Sequence, residues 1–255
     1  MSRPAALVLT VMLALAGAAG CGADKEGLSK TGLSKTTGLS KTGGPGKTAA
    51  KQGTAGSTAA AAARPNPVTC RRVAAPTPRG TEHLAKPAIS LSSNATWLAN
   101  VATSCGPFTI TLDVKRAPQT ASSFASLARL RFYDGLTFHR VVNGFVIQGG
   151  DPRGDGSGGP GYQTVEPPPS GLRYTRGVVA MAKQEIEDPG TAGSQFFVVV
   201  GPDAQLPADY ALVGRVTSGL DTVDRIAVVP TDPNTDRPVQ PVVIDSVRVA
   251  QVKRK

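Results

Sequence analysis

The chain has 255 residues, 40% of them hydrophobic and 18% charged, with a formal net charge of +10 at pH 7. That charge is uneven: residues 1–94 carry 12 Lys and Arg against 3 Asp and Glu, whereas residues 95–255 carry 16 against 15. The near-neutral remainder speaks against a domain that grips nucleic acid through a basic face, and two His and three distant Cys make no metal-ligand cluster.

Residues 1–20 read as a signal peptide: Arg3 supplies a positive start, Ala5 to Ala16 an apolar run, and small residues follow. The run is too short and too small-ended for a membrane span. The next residue completes "AAGC", which resembles the lipobox of bacterial lipoproteins, although Ala18 stands where Leu is usual. The resemblance implies that Cys21 is lipidated, becomes the first mature residue, and anchors an exported protein to the outer face of the cell membrane. Three Cys is odd for an exported chain. With Cys21 lipidated, Cys70 and Cys105 remain as an even pair, expected to close outside the cytoplasm.

Residues 21–66 form a low-complexity linker in which "GLSKT" occurs three times, at Gly27, Gly32 and Gly38. Gly, Ser, Thr, Lys and Ala bury too little apolar surface to offset ordering entropy, so this tether is expected to be disordered. Its "GPGKT" does not make a phosphate loop: the first Gly of that motif would fall on Lys41, and no strand precedes it. Residues 67–96 read as a Pro-rich, irregular approach, clipped at Cys70 to a domain over residues 97–251.

Within the domain, "PFTITLDV" alternates Phe108, Ile110, Leu112 and Val114 on one face and predicts a strand over 107–114. A helix is expected in 117–133, with Pro118 near its start and Ala121, Phe124, Leu127 and Ala128 at helical spacing. Further strands are expected at 136–142, 145–148, 178–182, 196–200, 211–216 and 242–249. A second helix is expected through Leu220, Val223 and Ile226. Many short strands, Gly- and Pro-rich turns and only two helices predict a mostly β chain closed into an antiparallel barrel, which removes exposed edges.

"FHRVVNGFVIQGGD", Phe138 to Asp151, sets one permanent charge, Arg140, and one amide, Gln148, into an apolar segment. Phe145 and Val146 lie beside them, and "GSQFFVVV" adds Gln195 and Phe197. His139 should point opposite to Arg140, as a structural histidine rather than a general base. No Ser/His/Asp set is available, and carboxylates are not concentrated here, so hydrolysis by paired acids fits poorly. What remains is an apolar cup with one Arg and fixed amides, which can stabilise redistributed charge without covalent chemistry.

"FYDGLTFHRVVNGFVIQGGDP", "GSGGPGY", "RGVVAMA" and "GTAGSQFFVVV" closely resemble the cyclophilins, peptidyl-prolyl cis-trans isomerases, over about residues 97–250. The resemblance implies an eight-stranded closed antiparallel barrel capped by two helices, with the site on its outer surface and no cofactor. It implies that Arg140 is catalytic and that Gln148 orients it. Phe145, Val146, Phe197 and Leu206 would line the proline pocket; Ala182, Lys183 and Gln195 would line the groove for preceding peptide residues, with Tyr210 also against substrate. Partners would be Xaa-Pro segments of unfolded or exported proteins, bound by a monomer. Four positions depart from the familiar pattern: Val146 replaces a Met, Lys183 an Asn, Gln205 a Trp and Tyr210 a His. Acidic Glu185, Glu187 and Asp188 follow Lys183 and are expected to neutralise it. The competing reading is a proline-peptide binding module or holdase chaperone that uses the same groove without turnover.

Overall fold

Short strands, some with every other residue buried and some, such as those over 178–181 and 196–199, buried throughout, build the sheet of the computed structural model, which describes residues 69–80 and 82–252. The signal peptide, Cys21 and the linker at 21–66 lie outside the described residues. Strands β1 (Trp97–Thr103) and β2 (Gly106–Leu112) form a hairpin that turns Ala99, Val101, Phe108, Ile110 and Leu112 inward. Helix α1 (Pro118–Arg129) follows, then β3 (Thr137–Val142), β4 (Val146–Asp151), β5 (Thr164–Val165), β6 (Val178–Met181), β7 (Thr191–Ala192), β8 (Phe196–Val199), β9 (Leu212–Ser218), α2 (Leu220–Ala227) and β10 (Ile244–Gln251).

The main sheet has eight strands in the order β10-β1-β2-β9-β6-β8-β4-β3, all neighbours antiparallel; β5 and β7 form a separate pair. It is an open half-barrel and not the closed barrel expected. Among the described residues its edge strands β3 and β10 run no ladder together; they meet at the bridge between Thr137 and Val243, and just before β3 Leu136 accepts from Ile244 N–H at 2.7 Å and Gly135 N–H donates to Ile244 at 2.8 Å. Two features account for the opening. Pro238 and Pro241, just before β10, have no N–H to extend a ladder, and the β3–β4 register shifts on both sides of Phe138. The edge of β3 is instead covered by the incoming loop, where Phe138 N–H donates to Val242 at 2.9 Å and Val141 N–H to Asp236 at 2.8 Å.

The α1 helix begins at Pro118 as expected but has no side-chain cap of its own. Glu166, next to β5, supplies one: its carboxylate accepts from Gln119 N–H at 3.0 Å, Thr120 N–H at 2.7 Å and the Thr120 hydroxyl at 2.6 Å, meeting the orphan donors and positive end of the helix. The buried face of α1 packs Phe124 against Tyr133 and Phe196 at ring-centroid distances of 4.9 and 5.5 Å. Residue Gly219 opens α2 at φ +77°, where a Cβ would lie 2.5 Å from the Pro107 carbonyl.

Cys70 and Cys105 are joined by a disulfide. From there the Pro-rich approach runs over the domain: Arg71 N–H donates to Ser104 at 2.7 Å, Arg79 N–H to Pro152 at 2.7 Å and Leu84 N–H to Pro160 at 2.9 Å. It ends on α1, where Ser122 Oγ accepts from Ser90 and Leu91 N–H.

His139, unpaired at the register shift of β3, is buried, 7% exposed, with neither ring nitrogen hydrogen-bonded among the described residues. Burial, with help from the Arg237 and Arg140 charges and against Asp151 and Asp155, pushes its pKa from 6.5 down to about 4. The unfolded chain therefore takes up a proton that the fold rejects. Stability is full above pH 6.5 and falls as the pH drops toward 4. Between pH 7.5 and 4.5 the parent should lose about 2–3 kcal/mol more than His139→Gln in urea unfolding; equal losses would show that this imidazole does not contribute.

Candidate active site

Cross-strand pairing puts one row of side chains on the outer face of the sheet. Arg140 on β3 pairs with Gln148 on β4, Gln148 with Phe197 on β8, Phe197 with Ala180 on β6, and Ala180 with Leu212 on β9. Directly paired residues share a face, so the sequence-distant cation, amide and ring become neighbours. This face carries its own apolar cluster, separate from the interior core. Val146 and Phe197 are buried in it, and Phe145, Ala182, Leu206 and Tyr210 pack half-buried around them. All six are residues that the resemblance sets against the substrate.

The floor is stiffened by aromatic edges. Phe197 and Tyr210 meet at 5.5 Å and 86°, and Tyr174 meets Tyr210 at 5.9 Å and 88°. Tyr174, wholly buried, donates its hydroxyl to the Tyr210 carbonyl at 2.6 Å and accepts from Tyr210 N–H at 2.9 Å. Burial pushes the Tyr174 pKa up to about 12, so it remains a donor at neutral pH. Sequence reading did not single out Tyr174; an isolated Tyr in "GLRYTRG" carries no periodic signal.

The amide side is built from a glycine-rich loop. Asp151, at the end of β4 and 1% exposed, accepts from Arg153 N–H at 2.8 Å and Gly156 N–H at 2.5 Å. Any Cβ at Gly158 would strike the Asp151 carboxylate and the Arg153 backbone, so the loop needs glycine there. The loop presents the Gly156 and Gly158 carbonyls, to which Gln195 Nε2 donates at 2.9 and 3.0 Å. Two carbonyl acceptors orient the Gln195 amide. Its oxygen then faces Gln148 Nε2, which donates at 3.1 Å.

Arg140 is therefore held differently from what the resemblance implies. Gln148 lies opposite it but donates to Gln195, and the partner of Arg140 is Asp236, whose Oδ2 accepts from Nε at 3.2 Å. The Lys183 surroundings also differ from the expected acidic neutralisation. Lys183 Nζ donates to the Glu187 and Gln184 carbonyls at 3.0 and 3.2 Å and lies 5.7 Å from the Tyr210 ring centroid. The Glu187 carboxylate is taken by Gln184 N–H and Gln163 Nε2, both at 2.6 Å. Gln205 is exposed, at φ +53°, with its N–H on Asp203. Among the described residues no group of three His, Cys, Asp or Glu is placed to hold a metal ion.

Residues 98–249 match the family model described as cyclophilin type peptidyl-prolyl cis-trans isomerase/CLD. The chain belongs to the cyclophilins. It is 42% identical over 169 residues to peptidyl-prolyl cis-trans isomerase B of Streptomyces anulatus, covering 59% of this chain and 95% of the relative. A probable peptidyl-prolyl cis-trans isomerase A of Mycobacterium leprae is 39% identical over 179 residues, with 63% and 95% covered. A solved cyclophilin type isomerase of Cryptosporidium parvum superposes with a TM-score of 0.56 at 28% identity, over 63% of this chain and 99% of its own. The same Cryptosporidium protein, solved in the presence of the dipeptide Ala-Pro, gives a TM-score of 0.55 at 29% identity, with 62% and 99% covered. This cyclophilin is a peptidyl-prolyl cis-trans isomerase with a mostly β fold and two helices. Its outer-face row of Arg140, Gln148 and Phe197 is the candidate catalytic centre.

Proposed function

We propose that this cyclophilin isomerises Xaa-Pro bonds of exported proteins by non-covalent catalysis at Arg140. The carrying observation is a single row, Arg140–Gln148–Phe197, beside an outer-face apolar cluster that includes Phe145, Val146, Leu206 and Tyr210. The substrate bond resists rotation by about 18–20 kcal/mol because the nitrogen lone pair is shared with the carbonyl. A proline ring seated on Phe197 brings its nitrogen near the guanidinium. Donation to that nitrogen favours its pyramidal form and breaks the conjugation, and Arg140 is always charged and able to donate.

A 10⁵-fold acceleration needs about 7 kcal/mol of selective stabilisation. One charge-assisted hydrogen bond contributes about 1.5–3 kcal/mol, so the shape of the cup, favouring the twisted bond over both planar isomers, must contribute the rest. Ala182, Lys183 and Gln195 border the cup on the side where residues preceding proline would lie. An Ala-Pro dipeptide accompanies the Cryptosporidium relative, which supports a proline dipeptide as the minimal ligand. Exchange NMR on a short Ala-Pro peptide tests the reading: catalytic amounts of protein should produce cis–trans exchange cross-peaks absent without it, and their absence would overturn it.

Export and anchoring belong to the same proposal, supported by the leader-like residues 1–20, the "AAGC" motif and a disulfide suited to an oxidising compartment. The protein isolated from its own membrane should begin at Cys21 and carry acyl mass by intact-mass analysis. A mature N-terminus beyond Cys21 without that mass would remove the anchor from the reading.

A further inference from the structure

Arg140 reaches the candidate site with its guanidinium anchored at one edge. Nε donates to Asp236 Oδ2 at 3.2 Å, while Gln148, the neighbour expected to hold it, is engaged with Gln195. Among the described residues Arg140 makes no other side-chain hydrogen bond, which leaves its terminal nitrogens free to donate to a ligand. An Arg tied at Nε keeps its plane but loses the freedom of its long stem, so the terminal donors are pre-aimed.

Asp236 itself sits on a built turn rather than on a loose loop. Asp232 accepts from Asn234 and Thr235 N–H through Oδ1, at 2.8 and 3.2 Å, and its carbonyl accepts from Asp236 N–H at 2.9 Å. The turn is closed by the bridge between Thr231 and Pro238. Asp236 then hands its own carbonyl to Val141 N–H at 2.8 Å, directly beside Arg140 on β3. Its φ of +56° lies in the left-handed region, which Asp and Asn tolerate better than most residues. The pair is part-exposed, 33% at Arg140 and 41% at Asp236, so it adds little to stability. What such a pair supplies is direction.

We propose that Asp236 is the positioning residue of Arg140: its carboxylate, delivered by the 231–238 turn, orients the guanidinium so that the terminal N–H groups face the proline nitrogen. This rests on the reading that Arg140 is the catalytic donor. It assigns Gln148 a different task, bracing Gln195 on the neighbouring side of the row.

The test uses two variants chosen for the left-handed backbone. Asp236→Gly keeps that conformation at no steric cost and deletes the carboxylate. Asp236→Asn keeps both the conformation and an acceptor oxygen. With Xaa-Pro peptide as substrate, Asp236→Gly should lower kcat about fivefold or more with KM within about twofold, the pattern of an interaction that acts in the transition state. Asp236→Asn should recover most of the loss. In Arg140-Nε-labelled protein, the Nε–H signal should move upfield and exchange faster in Asp236→Gly, which loss of a merely structural contact elsewhere would not cause. Parent kcat in Asp236→Gly, alongside an impaired Arg140→Ala, overturns the positioning role and leaves the catalytic reading standing. So does an Asp236→Gly loss that persists undiminished in an Arg140→Ala background. Parent kcat in Arg140→Ala overturns the catalytic reading itself, and this proposal with it.

Discussion

Arg140→Ala should lower turnover of an Xaa-Pro peptide by about 10- to 150-fold, the equivalent of the roughly 1.5–3 kcal/mol of one charge-assisted hydrogen bond. The fold should survive. The side chain is 33% exposed and its ion pair with Asp236 is part-exposed, a pair of the kind worth about 0–1 kcal/mol. Peptide binding should survive as well, because Phe145, Val146, Phe197 and Leu206 remain to hold the proline ring. The loss should therefore appear in kcat rather than KM. Arg140→Lys should stay impaired: it restores the charge but not the planar fork or the Nε–H that Asp236 engages. A folded Arg140→Ala, verified by circular dichroism, that turns over at the parent rate would sink the mechanism.

Opening the Cys70–Cys105 disulfide should cost about 3–4 kcal/mol of stability, the chain-entropy value for residues separated by 35 positions. Cys105 is fully buried between β1 and β2, and Cys70 packs against the interior core. Among the described residues the Pro-rich approach has no helix or strand of its own before β1. It is held by the bond, by the Arg71–Asp245 pair at 2.8 Å, and by backbone bonds at Ser104, Pro152 and Pro160. Without the bond, those contacts must hold a longer free segment. Urea unfolding of the parent should shift when a reductant is present, and a Cys70→Ser/Cys105→Ser double variant should reproduce the shift. A loss below about 1 kcal/mol would mean that the remaining contacts already hold the segment in the unfolded reference.

The two largest effects thus fall on different parts of the molecule. The disulfide lies on the β1–β2 side, whereas the candidate site occupies β3, β4, β8 and their loops. Turnover in the reduced protein should hold at temperatures where it remains folded.

Features set by local pattern were legible in the chain itself. Period-two burial of Phe108, Ile110 and Leu112 marks β2, and Pro118 with helically spaced Ala121, Phe124 and Leu127 marks α1. The expected helix over 117–133 ends at Arg129, because Arg131 adopts φ +58°. β1 escaped notice because Ala, Asn and Thr in "WLANVAT" blunt its alternation, and β5 and β7 are two residues each, too short to show any period. The apolar walls of the site were legible too, since Phe145, Val146 and Phe197 sit in motifs whose residue types already define an apolar cup. What tertiary structure alone decided is pairing over distance. Asp236 meets Arg140 across 96 positions, Glu166 caps α1 across 46 and 47, and Tyr174 holds Tyr210 across 36. Each is a single polar or aromatic residue in a loop, so it leaves no periodic trace, and its partner is chosen only when the fold brings that loop against a distant strand, helix or loop. The open edge between β3 and β10 has the same origin. Strand character is set by neighbours two residues apart, but closure depends on whether two edge strands can meet in register, and prolines before β10 and a shifting β3 prevent that.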